Sequence, residues 1–200
     1  MQYFKIQRVL SCIYTLTFSL LFGVYACSDT DSTQDIETAD KLSIWTNPIN
    51  GISINLPDDW RHSPDTASKG ETVIGYFLPR FAWIKSEYGH VSLHYENVSS
   101  YDYNFKKFCQ RLLQLLKPMA TSSTEPVYSH SSTISKANFD VEIEHKNKLK
   151  LLRIHLWTTQ PGVYYYAIIE TLAEDKPFIS RAMPIVDLLI ASSQDRIQEH

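Results

Sequence analysis

The chain has 200 residues, a formal net charge of −3, 44% hydrophobic and 20% charged residues, and three cysteines. That size supports one domain with a proper core. No basic stripe appears, which argues against nucleic acid as a partner.

Lys5 and Arg8 form a short basic region, and residues 9–26 follow without a charge, rich in Val, Leu, Ile and Phe. This is the tripartite layout of a secretory signal. The run is borderline for a membrane span of roughly 20 apolar residues, and Ser11, Thr15, Thr17 and Ser19 weaken that alternative. At its end, Val24-Tyr25-Ala26-Cys27 puts an aliphatic residue at minus three and a small one just before a cysteine. The junction resembles the lipobox of bacterial lipoproteins, with Tyr25 departing from the usual small residue. The resemblance implies cleavage after Ala26 and acylation of Cys27. Ordinary secretory cleavage at the same bond and an uncleaved anchor are the alternatives. One acyl chain anchors only marginally, at about 0.8 kcal/mol per buried methylene; lipoproteins of many Gram-negative species carry three. Ser28 stands where an aspartate would retain such a protein in the inner membrane, which leans towards the outer membrane.

Four segments follow: a signal peptide at 1–26, an acidic tether at 27–41, a domain at 42–193 and a polar tail at 194–200. The leader contributes +2, so the chain after it carries −5. Asp29, Asp31, Asp35, Glu37 and Asp40 account for all of that, and the domain itself is close to neutral. The tether has too few apolar residues to order itself. With one cysteine in the leader and one acylated, Cys109 is left alone, so the domain holds no internal disulfide.

The domain opens with a short strand near residues 42–45, and Asn47, Pro48, Asn50 and Gly51 form a dense turn signal. Ile52, Ile54 and Leu56 alternate with Ser53 and Asn55, predicting a half-buried strand that ends in a turn at residues 57–60. Residues 72–78 predict the next strand, closed by Pro79. Residues 90–96 predict another, with Val91, Leu93 and Tyr95 inward. The period then changes. Phe105, Phe108, Cys109, Leu112, Leu113, Leu115 and Leu116 recur at helical spacing between Asp102, a candidate cap, and Pro118, a stop. Burying that stripe is worth roughly 10 kcal/mol before entropy costs, so the helix needs a sheet to pack on. Residues 127–134 and 139–145 predict strands. An Asn147-Lys148 turn and a Gln160-Pro161-Gly162 turn then link residues 149–158 and 163–171 into an antiparallel meander, the connections being too short for parallel crossovers. The last two strands are apolar on both faces, as covered central strands are. Asp175, Lys176 and Pro177 open a closing helix with Phe178, Met183, Val186, Leu189 and Ile190 on one stripe, and the sequence turns polar from Ser192.

The expected fold is therefore α+β, an antiparallel sheet flanked by helices on both faces. Leu56-Pro57-Asp58-Asp59-Trp60 at the end of a strand, the central amphipathic helix, Tyr164-Tyr165-Tyr166 in the meander and the closing run from Val186 to Ile190 together resemble the PsbP-like (Mog-type) superfamily. The chain is also similar to DcrB-like bacterial lipoproteins of that fold, over roughly residues 44–192. The resemblance implies an α/β/α sandwich and a non-enzymatic binding or assembly role; no cofactor is expected, and the alternatives are an envelope hydrolase or metal-dependent enzyme with an unrecognised site, or a small-ligand carrier. The resemblance carries over no functional residue.

Among candidates for chemistry, His90, His94 and Glu96 share one face of a strand with Ser92 and are metal-ligand types. His90 and His94 stand about 13 Å apart along an extended strand, too far for one ion, so a solvated polar face is the competing reading. His145 and His155 are candidate cross-strand neighbours. Asp140, Glu142 and Glu144 form a carboxylate row with Lys146, Lys148 and Lys150 just beyond, predicting cross-strand salt pairing. No G-x-S-x-G, H-E-x-x-H or glycine-rich phosphate loop occurs. Tyr76, Phe77, Arg80, Phe81 and Trp83 gather aromatics and an arginine around Pro79. Such residues are enriched where partners dock, which makes them the candidate surface for another envelope protein. The alternative is that they close one end of the core.

Overall fold

The computed structural model describes residues 43–63, 72–80, 89–98, 104–131 and 134–194. The leader, Cys27, the tether, Phe81, Trp83 and Asp102 lie outside them. The described part is mostly antiparallel sheet with two helices, in the α+β class. Its strands are β1 (Ile44–Thr46), β2 (Ser53–Asn55), β3 (Trp60–His62), β4 (Val73–Pro79), β5 (His90–Asn97), β6 (Ala120–Ser123), β7 (Val127–His130), β8 (Ser135–His145), β9 (Lys148–Gln160) and β10 (Val163–Leu172). The helices are α1 (Phe105–Leu116) and α2 (Lys176–Gln194). Among the described residues no helix is long and apolar enough to cross a membrane.

The main sheet runs β3-β4-β5-β10-β9-β8-β6, with β7 also paired to β8, while β1 and β2 form a separate two-stranded ribbon. The predicted meander is β8-β9-β10, and the two apolar strands β9 and β10 sit at its centre. The turn between β8 and β9 is one residue earlier than expected. Lys146 and Asn147 adopt positive φ of 49° and 60°, the two-residue turn whose twist suits a hairpin. Gly162, at φ 80°, closes the turn into β10. Gly89 enters β5 at φ 68°, where a Cβ would lie 2.7 Å from the Glu170 carbonyl oxygen and 2.8 Å from the Phe178 ring.

Side chains sort by parity along β10. Tyr165, Ala167 and Ile169 cluster with Phe178, Ala182, Ile185, Val186 and Leu189 of α2. Tyr164, Tyr166 and Ile168 cluster with Phe108, Cys109, Leu113 and Leu116 of α1. Successive strand residues project to opposite sides of a sheet. The β1–β2 ribbon adds Trp45, Ile54 and Leu56 to the α2 cluster.

Four sequence readings change. Residues 57–60 do not simply end a strand: Trp60 starts β3, pairs with Pro79, and is buried against Phe178 with ring centroids 5.8 Å apart. Pro79 is thus inside β4, at an end where β3 is the sheet's edge. Strand β6, with only its first residue partly buried, has no apolar alternation to announce it. Asn104 caps α1, its side-chain oxygen accepting from the Lys107 N–H at 2.9 Å. Finally, Ser192 and Ser193 belong to α2 and are buried. Asn50 donates to the Ser192 carbonyl and the Trp157 indole donates to Ser193 Oγ, both at 2.7 Å. A polar pair reads as a tail unless its partners are known.

Candidate functional site

The even-numbered side chains of β5 face the same side as Tyr166 and Glu170 of β10, to which they are registered. They are not solvated. His94 is 8% exposed and stacks on Tyr166, with ring centroids 4.5 Å apart and planes 9° from parallel. Ser92 Oγ lies 3.0 Å from His94 Nε2 and Thr72 Oγ1 lies 3.3 Å from Nδ1. Burial, with a smaller contribution from His90, pushes the His94 imidazole down to about 3. It is therefore neutral, one nitrogen donating and the other accepting. A serine beside such a weak base gains no nucleophilicity, since a general base must titrate near working pH. The Tyr166 hydroxyl donates to Glu96 at 3.1 Å. Burial pushes the Glu96 carboxyl up, against the lowering pull of that bond and of Arg111.

Further along the same face, five strands contribute one polar row. Lys150 of β9 pairs with Glu170 of β10, and His90 Nε2 of β5 lies 3.8 Å from the other Glu170 oxygen. Tyr76 of β4 packs on the His90 ring at 4.5 Å, and His145 of β8 adds its field. Burial alone would raise the Glu170 carboxyl, but His90, Lys150 and His145 together hold it below its ordinary value. Burial and the Glu170 charge push the Tyr76 hydroxyl up. This row is a satisfied ionic network in the sheet.

The sequence candidates therefore separate. His90 serves Glu170, His94 serves two hydroxyls and Glu96 serves Tyr166, so the three do not converge; no group of three His, Cys, Asp or Glu among the described residues is placed to hold a metal ion. His145 sits opposite Lys148, whereas His155 sits opposite Asn138 and Ala167, so the two histidines are not neighbours. Lys150 turns to Glu170 instead of the carboxylate row. Asp140 instead takes both arms of Arg153 at 2.8 and 2.7 Å, and Glu142 accepts from Ser122 at 2.7 Å. Cys109 is fully buried, and burial pushes its thiol up to about 12, which makes it unreactive.

The proposed docking surface is also redistributed. Tyr76 and Phe77 lie in β4, as the predicted strand 72–78 placed them, and point to opposite sides of it. Phe77 is fully buried, edge-on to Trp45 at 5.3 Å, so it contacts no partner. Arg80 is partly exposed, its guanidinium donating to the Asp58 carbonyl at 3.3 Å.

One site went unread in the sequence. An open cleft of about 330 Å³ lies where three chain segments meet. Asn104 and Phe105 start α1 on one side, His130, Ile134 and Ser135 flank the β7–β8 connection on another, and residues 158–161 with Tyr164 complete it from the β9–β10 turn. His130 Nδ1 and Ser135 Oγ are 2.7 Å apart on its wall. Tyr164 lies flat on Phe108 at 4.2 Å and 6.1 Å from the Phe105 ring. The turn signal at Gln160-Pro161-Gly162 was legible, but no local pattern says which other segments come to meet it.

No family model matches this chain, and no curated protein matches it. Among solved structures it is similar to PA94 from Pseudomonas aeruginosa, a protein of unknown function, with 11% identity and a TM-score of 0.41 over 74% of this chain and 93% of that one. It is also similar to LpqN of Mycobacterium tuberculosis, which is involved in cell envelope biogenesis, with 14% identity and a TM-score of 0.46 over 66% of this chain and 76% of that one.

Proposed function

We propose that the chain is a lipid-anchored, non-catalytic binding or assembly module of the bacterial cell envelope, facing the periplasm from the outer membrane. The observation that carries this reading is the charge-free run of residues 9–26 behind Lys5 and Arg8, ending in Val24-Tyr25-Ala26-Cys27 and followed by an acidic tether. The domain is taken as three layers of the PsbP-like kind, with a helix on each side of the sheet. The separation of the α1 and α2 clusters by strand parity supports that arrangement. The non-catalytic part of the reading is supported by the histidines of β5, whose ring nitrogens serve internal partners. Its partner is another envelope protein, meeting the chain near Tyr76, Arg80, Phe81 and Trp83.

The test is metabolic labelling with radioactive palmitate in a Gram-negative host. The label is expected in the wild-type chain and absent from Cys27→Ser, which accumulates as precursor and leaves the outer-membrane fraction. A Cys27→Ser chain that takes up the label, or that reaches the outer-membrane fraction like the wild type, overturns the anchor. Crosslinkers placed at Arg80 and Trp83 are expected to trap a discrete envelope protein at native abundance.

A further inference from the structure

On one side the sheet ends in β6 and β7, which lie one after the other along β8. Neither has a second strand partner among the described residues. The opposite edge, β3, is three residues long and begins with the buried Trp60. All four residues of β7 are exposed, and Val127 at 64% and Tyr128 at 40% are large apolar side chains left in water. Proteins blunt such edges with prolines, bulges and charges on the strand itself. Pro126 stops short of β7 and a bulge falls in β6, between Ala120 and Ser122, so the register from Val127 to His130 is unbroken.

One bond fixes where the backbone groups of β7 point. The Ser131 N–H donates to the Ile134 carbonyl at 2.9 Å, one step beyond the pairing of His130 with Ser135. Hydrogen-bonded and non-hydrogen-bonded pairs alternate along an antiparallel ladder. Ser129 and Val127 therefore turn their N–H and C=O to β8, and Tyr128 and His130 turn theirs outward. Outward donors and acceptors at strand spacing are a template for a further strand.

Charge on both sides of the edge selects that strand. Tyr128 lies on the α1 side, edge-on to Phe105 at 6.5 Å, and Lys106 Nζ stands 6.0 Å from the centre of its ring. Ser129 is opposite Lys136, and Lys136 projects away from the face on which its neighbour Ala137 meets the α1 cluster. Neither lysine has a carboxylate within ion-pair distance among the described residues. The acids of the adjoining segments are engaged, Glu125 with Lys117 at 3.9 Å and Asp140 with Arg153 at 2.7 Å. A second copy docked edge to edge would set lysine against lysine, so the occupant is a different chain.

We infer that β7 is a docking edge for an extended acidic segment of a partner protein, added as a further strand along Tyr128 and His130. Neighbouring residues of a strand project to opposite sides, so two consecutive acids of that segment meet Lys106 on one face and Lys136 on the other. The inference rests neither on the lipid anchor nor on the proposed surface around Arg80, which lies past the other edge of the sheet.

The full chain as isolated serves for the test, in nanodiscs where it is acylated and in buffer otherwise, with empty nanodiscs as the blank. The probe is the capped peptide acetyl-Thr-Val-Glu-Glu-Val-Thr-amide, titrated calorimetrically beside the same peptide with Gln for both Glu. One Glu peptide per chain is expected to bind, about fivefold tighter than the Gln peptide at low salt, with the gap closing as salt rises. Lys106→Ala with Lys136→Ala is expected to remove the gap and leave the Gln peptide unchanged, whereas Lys148→Ala, at the β8–β9 turn, leaves both unchanged. N-methylation of both valines, one on each edge of the peptide backbone, is expected to weaken binding by about tenfold or more. Equal affinity for the Glu and Gln peptides, no binding of either, or indifference to N-methylation overturns the inference. So does a gap that survives the double lysine variant or is lost in Lys148→Ala. Self-association of the free chain that Tyr128→Pro abolishes, read by sedimentation, overturns it in favour of a second copy.

Discussion

His94 shows how one side chain ties this fold to pH. Its folded value of about 3 lies below the ordinary 6.5, so above pH 6.5 it is neutral in both states and its packing contributes fully. Between 6.5 and 3 the unfolded chain takes up the proton and the folded one does not. Stability therefore falls as pH falls, by about 1.4 kcal/mol per pH unit from this group alone. Urea unfolding at pH 7 and pH 5 is expected to show that loss in the wild type. In His94→Gln the slope is expected to be shallower, from a lower starting stability. Lys150 makes the complementary case. Its partner Glu170 is largely buried and would keep only the weaker support of His90 and His145, so Lys150→Ala is expected to cost about 3 kcal/mol. Lys150→Met with Glu170→Leu removes both charges and is expected to recover most of that, read from denaturant midpoints. Histidine chemistry of this kind was only half legible in the sequence. Alternation put residues 90, 92, 94 and 96 on one face, but whether that face meets water or Tyr166 is decided by strand order, which one strand's pattern does not encode.

At the scale of elements, long periodic segments announced themselves and short ones did not. The α1 stripe, the β8-β9-β10 meander and α2 all follow from repeats spanning ten residues or more. Strands β3 and β6, of three and four residues, are made by pairing with β4 and β8, which no local period reports. The hairpin turn was off by one residue because Lys146 is an unfavoured choice for a left-handed position. Lys146→Asn is expected to raise stability by about 1 kcal/mol, the low end of the cost of a left-handed residue, seen as a higher Tm with unchanged circular dichroism. Asn104→Ala removes the bond to the Lys107 N–H and is expected to cost about 1 kcal/mol, mostly as fraying at the rim of the cleft.

At the scale of the whole molecule, the first and last described segments are fastened together. The β1–β2 ribbon shares no strand pairing with the main sheet, and it is held by the Trp45 and Leu56 plug and by the bond from Asn50 to the last turn of α2. On the proposed lipid anchor, any drag on the domain would enter at Ser43, the first described residue. The ribbon then acts as a fuse: under tension it peels away before the sheet is sheared, lengthening the leash while the cleft stays whole. Optical-tweezer records are expected to show a small early rupture releasing about fifteen residues at roughly 3.5 Å each, ahead of the main event.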